Sequence, residues 1–354
     1  MAHQEPEFSA ALTHALTDAV LVQASANELD KYSELADQAG CGLVVTGKDA
    51  IGGLRTMRQA GMNAPVLVDR RRYAGKRRMP GTAPLTASWL QAQYEAGATA
   101  ILTDSGYVGC GDEPALDAVL SQTAAYQRRW DGKATLWAVL PLHQSWLRGQ
   151  RATLTGYLRQ YRVPVALVLE HATDPLGTQV AVQGLVKVLD APVPVALLCT
   201  DVSALGALAF GAVFAAVGVR TSLRHLYPQT ENGPRPTGVT STLVDPVLSI
   251  VSTNKIATAY AASPDDQVWQ CCCEYCHGRD LTWLATAGQV QANHHTFTAL
   301  LARREEMELI PRGDRRRRWW RSCCSDALWN YDALQLVERH RWTVPGFLKA
   351  WDAG

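Results

Sequence analysis

Eight short apolar runs recur between Ala19 and Val219, each closed by a polar or charged residue and followed by a stretch of helical character. They are AVLVQAS (19–25), GLVVTG (42–47), PVLVDRR (65–71) and AILTDSG (100–106), then TLWAVLPLH (135–143), VPVALVLEH (163–171), VPVALLCTD (193–201) and AVFAAVGV (212–219). Their apolar character is continuous rather than alternating, as parallel strands covered on both faces require. Between them lie helix candidates such as NELDKYSELADQAG (27–40), TASWLQAQYEAGA (86–98) and GTQVAVQGLVKVLD (177–190), several ending in Gly or Asp-Ala, a C-cap and turn. Eight such units predict an α/β chain folded as a (β/α)8 TIM-like barrel. A doubly wound open sheet is the competitor, but the regular count and the lack of GxGxxG after the first run weigh against it.

A chain of 354 residues with 47% hydrophobic and 19% charged residues buries a large core and has room for an appendage to the barrel. The net charge of +1 asks for no strongly charged partner of the whole molecule, so local clusters must carry any such preference. VSALGALAFGAVFAAVGV (202–219) has the length of a membrane span, yet it sits between Asp201 and Arg220 and is mostly Ala, Gly and Val. A buried helix running into a buried strand is expected there, and no membrane partner. Residues 1–20 lack a basic stretch followed by an apolar run and do not read as an export signal. A cytoplasmic setting with reduced thiols is therefore expected for the nine cysteines.

In a barrel of this kind the chemistry sits at the C-terminal strand ends. That edge presents Asp69, Asp104 with Ser105 and Gly106, His143, Glu170 with His171, and Asp201. Asp201 precedes Val-Ser-Ala-Leu and serves equally well as a helix cap. Asp104 is the sharper candidate, because Asp-Ser-Gly offers a carboxylate, a hydroxyl and a glycine that permits close approach. Asp69, Asp104 and Glu170 are the candidate catalytic carboxylates, with Ser105, Gly106, His143, His171 and Asp201 as candidate substrate contacts.

After the eighth run the pattern stops, and residues 226–267 read mostly as loop with short strands. WQCCCEYCHGRD (269–280) then places Cys271, Cys273 and Cys276 in C-x-C-x-x-C, followed by NHHTF with His294 and His295. Three thiolates at this spacing reach one tetrahedral ion, and a helix-borne imidazole from His295, or alternatively His294, completes four ligands. Cys272 points away from such a site. Buried free thiols, a redox C-x-x-C pair, and an iron–sulfur cluster using Cys323 or Cys324 are the competing readings. A structural zinc fits best, and a site with four protein ligands has no open position for catalysis.

A barrel followed by C271-C-C-E-Y-C276 and a helical histidine resembles the tRNA-guanine transglycosylase superfamily, including its DNA-modifying members, over roughly residues 40–305. The run from P194-VALLCTD through G211-AVFAAVGVRT221 is similar to that family's seventh strand, helix and eighth strand. The resemblance implies exchange of guanine in a nucleic acid for a 7-deazaguanine base. One aspartate attacks the ribose and another carboxylate binds the base, while the zinc subdomain supports nucleic-acid binding or dimerisation. The family's Asp-Ser-Gly motif matches Asp104-Ser105-Gly106 by letters and Asp69 by strand order. The family's eighth-strand aspartate is missing: Phe214-Ala215-Ala216-Val217-Gly218 carries no carboxylate, and alanine cannot form a glycosyl ester.

Two basic clusters point to a nucleic-acid partner. RRRYAGKRR (70–78) supplies Arg70, Arg71, Arg72, Lys76, Arg77 and Arg78 on the functional rim, and a basic rim suits a phosphorylated small molecule as well. DRRRRWWRS (314–322) adds Arg315, Arg316, Arg317, Arg318, Trp319 and Trp320, which combine phosphate contacts with stacking surfaces, or else form a solvated helix face with Trp packed on the barrel. WTVPGFLKAWDAG (342–354) reads as a short amphipathic helix that packs or mediates assembly, as a homodimer or with another subunit. The expected organisation is a barrel over 1–225, a loop-rich zinc subdomain over 226–310 and a basic helical extension over 311–354. Three functions compete. The first is base exchange in DNA or tRNA through a barrel-mouth carboxylate. The second is a non-catalytic nucleic-acid-binding paralogue or subunit that works with a catalytic transglycosylase. The third is an enzyme acting on a small phosphorylated metabolite.

Overall fold

The computed structural model describes residues 15–130, 133–229 and 238–353, so the reading of residues 1–20 falls largely outside it, and so does the middle of the loop-rich stretch 226–267. The strands are β1 (Ala19–Ser25), β2 (Leu43–Thr46), β3 (Val66–Asp69), β4 (Ile101–Leu102), β5 (Leu136–His143), β6 (Val165–Glu170), β7 (Val195–Thr200) and β8 (Phe214–Gly218). They pair in parallel in the order β3-β2-β1-β8-β7-β6-β5-β4, a TIM-like barrel that is nearly closed. The last seam joins β3 to the entry of β4 through Thr99, whose N–H reaches Val66 O at 2.9 Å and whose Oγ1 accepts from Val66 N at 2.9 Å.

The continuous apolar runs follow from this arrangement. Alternate residues such as Leu21, Val44, Leu67, Trp137, Val168 and Ala216 fill the barrel interior. Residues of the opposite face, such as Val22, Val45, Val68, Leu140, Leu197 and Ala215, pack under the surrounding helices. The helix Ala50–Gln59 shows the complementary pattern, burying Ala50, Ile51, Leu54 and Met57 at helical spacing. Each fully buried leucine of that kind contributes on the order of 2 kcal/mol.

Stretch 202–219 resolves into the helix Ser203–Ala209 and strand β8, and among the described residues no helix is long and apolar enough to cross a membrane. Stretch 27–40 differs from expectation: a 3-10 turn spans Ala26–Tyr32, and only Ser33–Ala36 is α-helical. The fourth run also shortens to two residues, and farther along the chain Tyr107 bridges to Pro80 while Val108 bridges to Leu142 of β5.

Beyond β8, the hairpin β9 (Ser241–Val244) and β10 (Ser249–Ser252) is followed by a helix, Thr253–Ala262, where sequence alone suggested loop. Ser252 Oγ caps it by accepting from Lys255 N at 3.4 Å. The helix Gln289–Glu308 ties this part to the barrel with buried hydrogen bonds. Asn293 Nδ2 donates to Tyr32 OH at 2.8 Å and to Val219 O at 3.1 Å. At the opposite end of β1, Arg312 and Arg316 both reach Asp18 Oδ2 at 2.8 Å, and Arg304 Nε donates to Asp18 O at 2.8 Å. These bonds anchor the C-terminal helices Gln289–Glu308 and Asp314–Ala333 beneath the barrel.

Candidate functional site

The loop after β3 crosses the barrel mouth, and its side chains occupy the carboxylates that the strand ends present. Asp104 lies 2% exposed, with Oδ2 shared by Arg70 Nη1 at 2.7 Å and Arg72 Nη1 at 2.9 Å. Its Oδ1 accepts from Thr86 N at 2.9 Å. Glu170 is held by Arg78 on one oxygen and by the Tyr107 hydroxyl on the other, and the Arg78 guanidinium lies 3.6 Å from the centre of the Tyr107 ring. Asp69 is engaged from inside the barrel, where Tyr73 OH donates to Oδ2 at 2.6 Å and Arg71 N to Oδ1 at 2.9 Å. The Arg71 side chain reaches the loop after β8, where Nη2 donates to Ser222 O at 3.1 Å. Burial pushes the Asp69 carboxyl above its ordinary range, while Tyr73 and Arg71 pull it back.

Tyr73 belongs to the interior core cluster together with Cys199, Ala216 and Phe214, so the barrel axis is filled by protein at the level where a substrate would enter. Ser105 is buried and hydrogen-bonded to Thr103 Oγ1 at 2.7 Å. Gly106 does permit a close approach, but the group that approaches is the chain's own backbone. A Cβ there would lie 2.0 Å from Pro80 O. Ser105 is thus spent within its own strand end, and Gly106 makes room for the loop at Pro80. His143 Nδ1 meets Ser145 Oγ at 2.9 Å, and His171 Nδ1 accepts from Thr173 N at 3.2 Å, so each histidine organises its own turn. Asp69, Asp104 and Glu170 are all drawn to the same loop, each by a different part of it.

An open cavity lies to one side, of about 680 Å³, walled by the loops after β6, β7 and β8 and roofed by β10 and residues 342–347. His171 and Asp201, both candidates from the sequence, line it, as do Trp342 from the stretch 342–354 and Asp174, Arg224, His225 and Lys255, which sequence reasoning did not single out. Asp174 Oδ1 accepts from Leu176 N at 2.8 Å, and Asp201 Oδ1 from Ser203 N at 2.9 Å, a turn just ahead of the helix Ser203–Ala209, whose N-cap position is Val202. Burial, reinforced by the Asp201 charge, pushes Asp174 up to about 7. Burial raises Asp201 as well, opposed by the Ser203 N–H and by Arg224. Burial, then His171, brings His225 down to about 4. The only sequence signal for these residues was their place shortly after strand ends. Lys255 lies far along the chain and gave none, and Trp342 was flagged only as part of the packing stretch 342–354.

The cysteine stretch folds into a tight knuckle against the helix Gln289–Glu308. His295 Nδ1 lies 3.5 Å from Cys271 Sγ, 3.5 Å from Cys273 Sγ and 3.2 Å from Cys276 Sγ. The four ligand atoms lie within 4.8 Å of one another and could hold a metal ion. His295 Nε2 is bonded to Leu243 O at 2.8 Å, which fixes the ring with Nδ1 toward the sulfurs. His294 faces elsewhere, its Nε2 on Lys31 O at 2.7 Å, and Cys272 is exposed. Cys323 and Cys324 sit on the helix Asp314–Ala333 and are not part of the cluster.

The second basic tract is divided by the helix that carries it. Trp320 is fully buried, and Arg316 is 5% exposed in its pair with Asp18, so neither faces solvent as a polymer contact. Arg317 pairs with Asp190 at 3.1 Å, and Trp319 is half-buried. Arg315 and Arg318 are exposed, as are Lys76 and Arg77 on the mouth loop, and none of these four has an ion pair among the described residues. Neither the protein-family models nor the curated proteins contain a match to the chain.

Proposed function

We propose that the chain is a non-catalytic, nucleic-acid-binding counterpart of the tRNA-guanine transglycosylases, built on a barrel with a structural zinc knuckle. One observation carries the reading. The interior position of β8 where the resemblance expects a nucleophile is Ala216, and each alternative carboxylate, Asp69, Asp104 or Glu170, is already bonded to the loop over the mouth. A nucleophile needs a free oxygen at the reacting carbon, whereas both oxygens of each of these carboxylates already accept a hydrogen bond, and Asp104 is in addition neutralised by two guanidinium groups. The exposed Lys76 and Arg77 on that loop, with Arg315 and Arg318 on the far helix, supply cations for phosphate contacts.

Zinc suits the knuckle on donor chemistry and size. An ion about 2.3 Å from sulfur and about 2.0 Å from nitrogen sets tetrahedral S···N edges of roughly 3.5 Å. The observed separations of 3.5, 3.5 and 3.2 Å match that scale. Cys271, Cys273, Cys276 and His295 would hold the ion, whose contribution is to fix the knuckle against the helix rather than to activate water.

The test is incubation of the protein with mass-tagged guanine or 7-deazaguanine together with tRNA or duplex DNA. Salt-dependent polymer binding without base incorporation is expected. Incorporation of either base would refute the non-catalytic reading, and failure to bind either polymer at low salt would refute the nucleic-acid reading. Elemental analysis should return one zinc per chain.

A further inference from the structure

The cavity beside the mouth goes beyond this reading, because its chemistry differs from that of the polymer-facing cations. Its volume of about 680 Å³ suits a small molecule. Asp174 and Asp201 each spend one oxygen on a backbone N–H, at 2.8 and 2.9 Å. Groups that donate line the same cavity, with Arg224 close enough to Asp201 for their charges to interact. Arg224 gives Nε to Gly218 O at 3.2 Å, and its charge interacts with Asp201 without an ion pair at contact distance among the described residues. Lys255 projects from the first turn of the helix Thr253–Ala262, where the helix dipole adds positive potential.

Two buried polar atoms on the cavity wall lack partners. His225 is 8% exposed and Trp342 is 3% exposed, and among the described residues neither His225 Nε2 nor Trp342 Nε1 has a hydrogen bond. Such atoms cost stability unless a ligand or water completes them. The placement also follows a general property of the fold: in TIM barrels the loops after the seventh and eighth strands, with the N-terminus of a short extra helix, commonly cradle phosphate. Here those loops contribute Asp201 and Arg224, and the extra helix contributes Lys255.

We propose that this cavity binds a small phosphorylated, hydroxyl-bearing metabolite, with its phosphate toward Arg224 and Lys255 and its hydroxyls toward Asp174 and Asp201. Carboxylates are good acceptors for sugar hydroxyls, and a fixed guanidinium with an ammonium is a good partner for a phosphate. The proton retained by Asp174, at about 7, limits repulsion between the acid wall and a phosphate. Trp342 and Phe347 on the roof give the ligand's carbon face an apolar surface.

Calorimetric titration of the full chain with inorganic phosphate, glycerol 3-phosphate and ribose 5-phosphate tests the proposal. Ribose 5-phosphate is expected to bind more tightly than inorganic phosphate. Lys255→Gln and Arg224→Gln should each weaken all three probes by roughly ten-fold or more. Asp201→Asn should weaken only the hydroxyl-bearing probes. Lys255 protrudes from a helix start, so its variant remains informative even if the Arg224 variant fails to fold. Absence of saturable binding up to about 10 mM overturns the site. Binding unchanged in the Lys255 variant, or an equal effect of Asp201→Asn on inorganic phosphate and ribose 5-phosphate, overturns the proposed orientation of the ligand and with it the proposal.

Discussion

Tyr73 donates its hydroxyl to Asp69 at 2.6 Å from within the barrel, and both residues are 1% exposed. The loop after β3 is thereby locked down at its centre, with Arg70, Arg72 and Arg78 securing it on either side. Removing the hydroxyl should expose the cost of burying the Asp69 carboxylate. Tyr73→Phe is expected to destabilise the protein by about 1–3 kcal/mol near neutral pH. Asp69 titrates above its ordinary 3.8 because it is buried. Its contribution to stability is therefore fullest below about pH 4 and is lost as pH rises through the folded-state pKa. Losing a donor that favours the ionised form raises that pKa further, so the deficit of the variant should grow with pH. Urea unfolding at a series of pH values checks this, and a deficit independent of pH would contradict it.

Gly106 is expected to tolerate no side chain. A Cβ would fall 2.0 Å from Pro80 O and 2.7 Å from Met79 O, both backbone atoms of a strap pinned by hydrogen bonds at Tyr107. Gly106→Ala should lower stability by about 1–3 kcal/mol or release the strap. Hydrogen exchange at Met79–Gly81 distinguishes the two, since release would speed exchange of the Gly81 amide, now bonded to Tyr107 O at 2.7 Å.

The barrel was legible because parallel strands buried on both faces leave continuous apolar runs, and Leu21 and Val22 must both be apolar whichever way each points. The strap was not. Arg70, Arg72 and Arg78 read as a solvent-facing basic loop, and nothing local reveals that their partners stand 34, 32 and 92 residues away. The cavity was illegible for the same reason, since Asp174, Arg224, Lys255 and Trp342 meet only after the chain has folded back from its C-terminal part. Within the knuckle the cysteine spacing sufficed to propose the site. The choice between His294 and His295 awaited the phase of the helix and the carbonyl of Leu243.

That phase yields a sharp contrast between adjacent residues. On the proposed zinc reading, His295→Ala should cut metal affinity by at least about ten- to a hundred-fold, because it removes the imidazole that faces the three sulfurs and is already oriented by its bond to Leu243. His294→Ala should leave the metal content unchanged and cost only the bond to Lys31 O. Zinc release measured by a chromogenic chelator on both variants decides the matter. Equal loss in both, or loss in His294→Ala alone, would show that the ring facing Cys271, Cys273 and Cys276 is not the ligand.

On the proposed nucleic-acid reading, the division of the arginines into structural and free groups should appear in the salt dependence of binding to DNA or tRNA. Lys76 and Arg77 are exposed on the mouth loop and lack ion pairs among the described residues, whereas Arg316 is spent on Asp18 at 2.8 Å. Neutralising Lys76 or Arg77 to Gln should weaken DNA and tRNA alike, and each phosphate left without its cation should reduce the slope of log affinity against log salt by about one. Arg316→Gln should act on stability instead. It leaves Asp18 with Arg312 as its remaining side-chain cation, in a pair that is 62% exposed on the arginine side, and a loss of about 2–4 kcal/mol is expected. Fluorescence anisotropy with a labelled oligonucleotide across a salt series, alongside thermal unfolding of the same variants, separates the two effects. If Lys76→Gln and Arg77→Gln leave the slope unchanged while binding persists, the polymer is held elsewhere, and the exposed pair Arg315 and Arg318 becomes the next to neutralise.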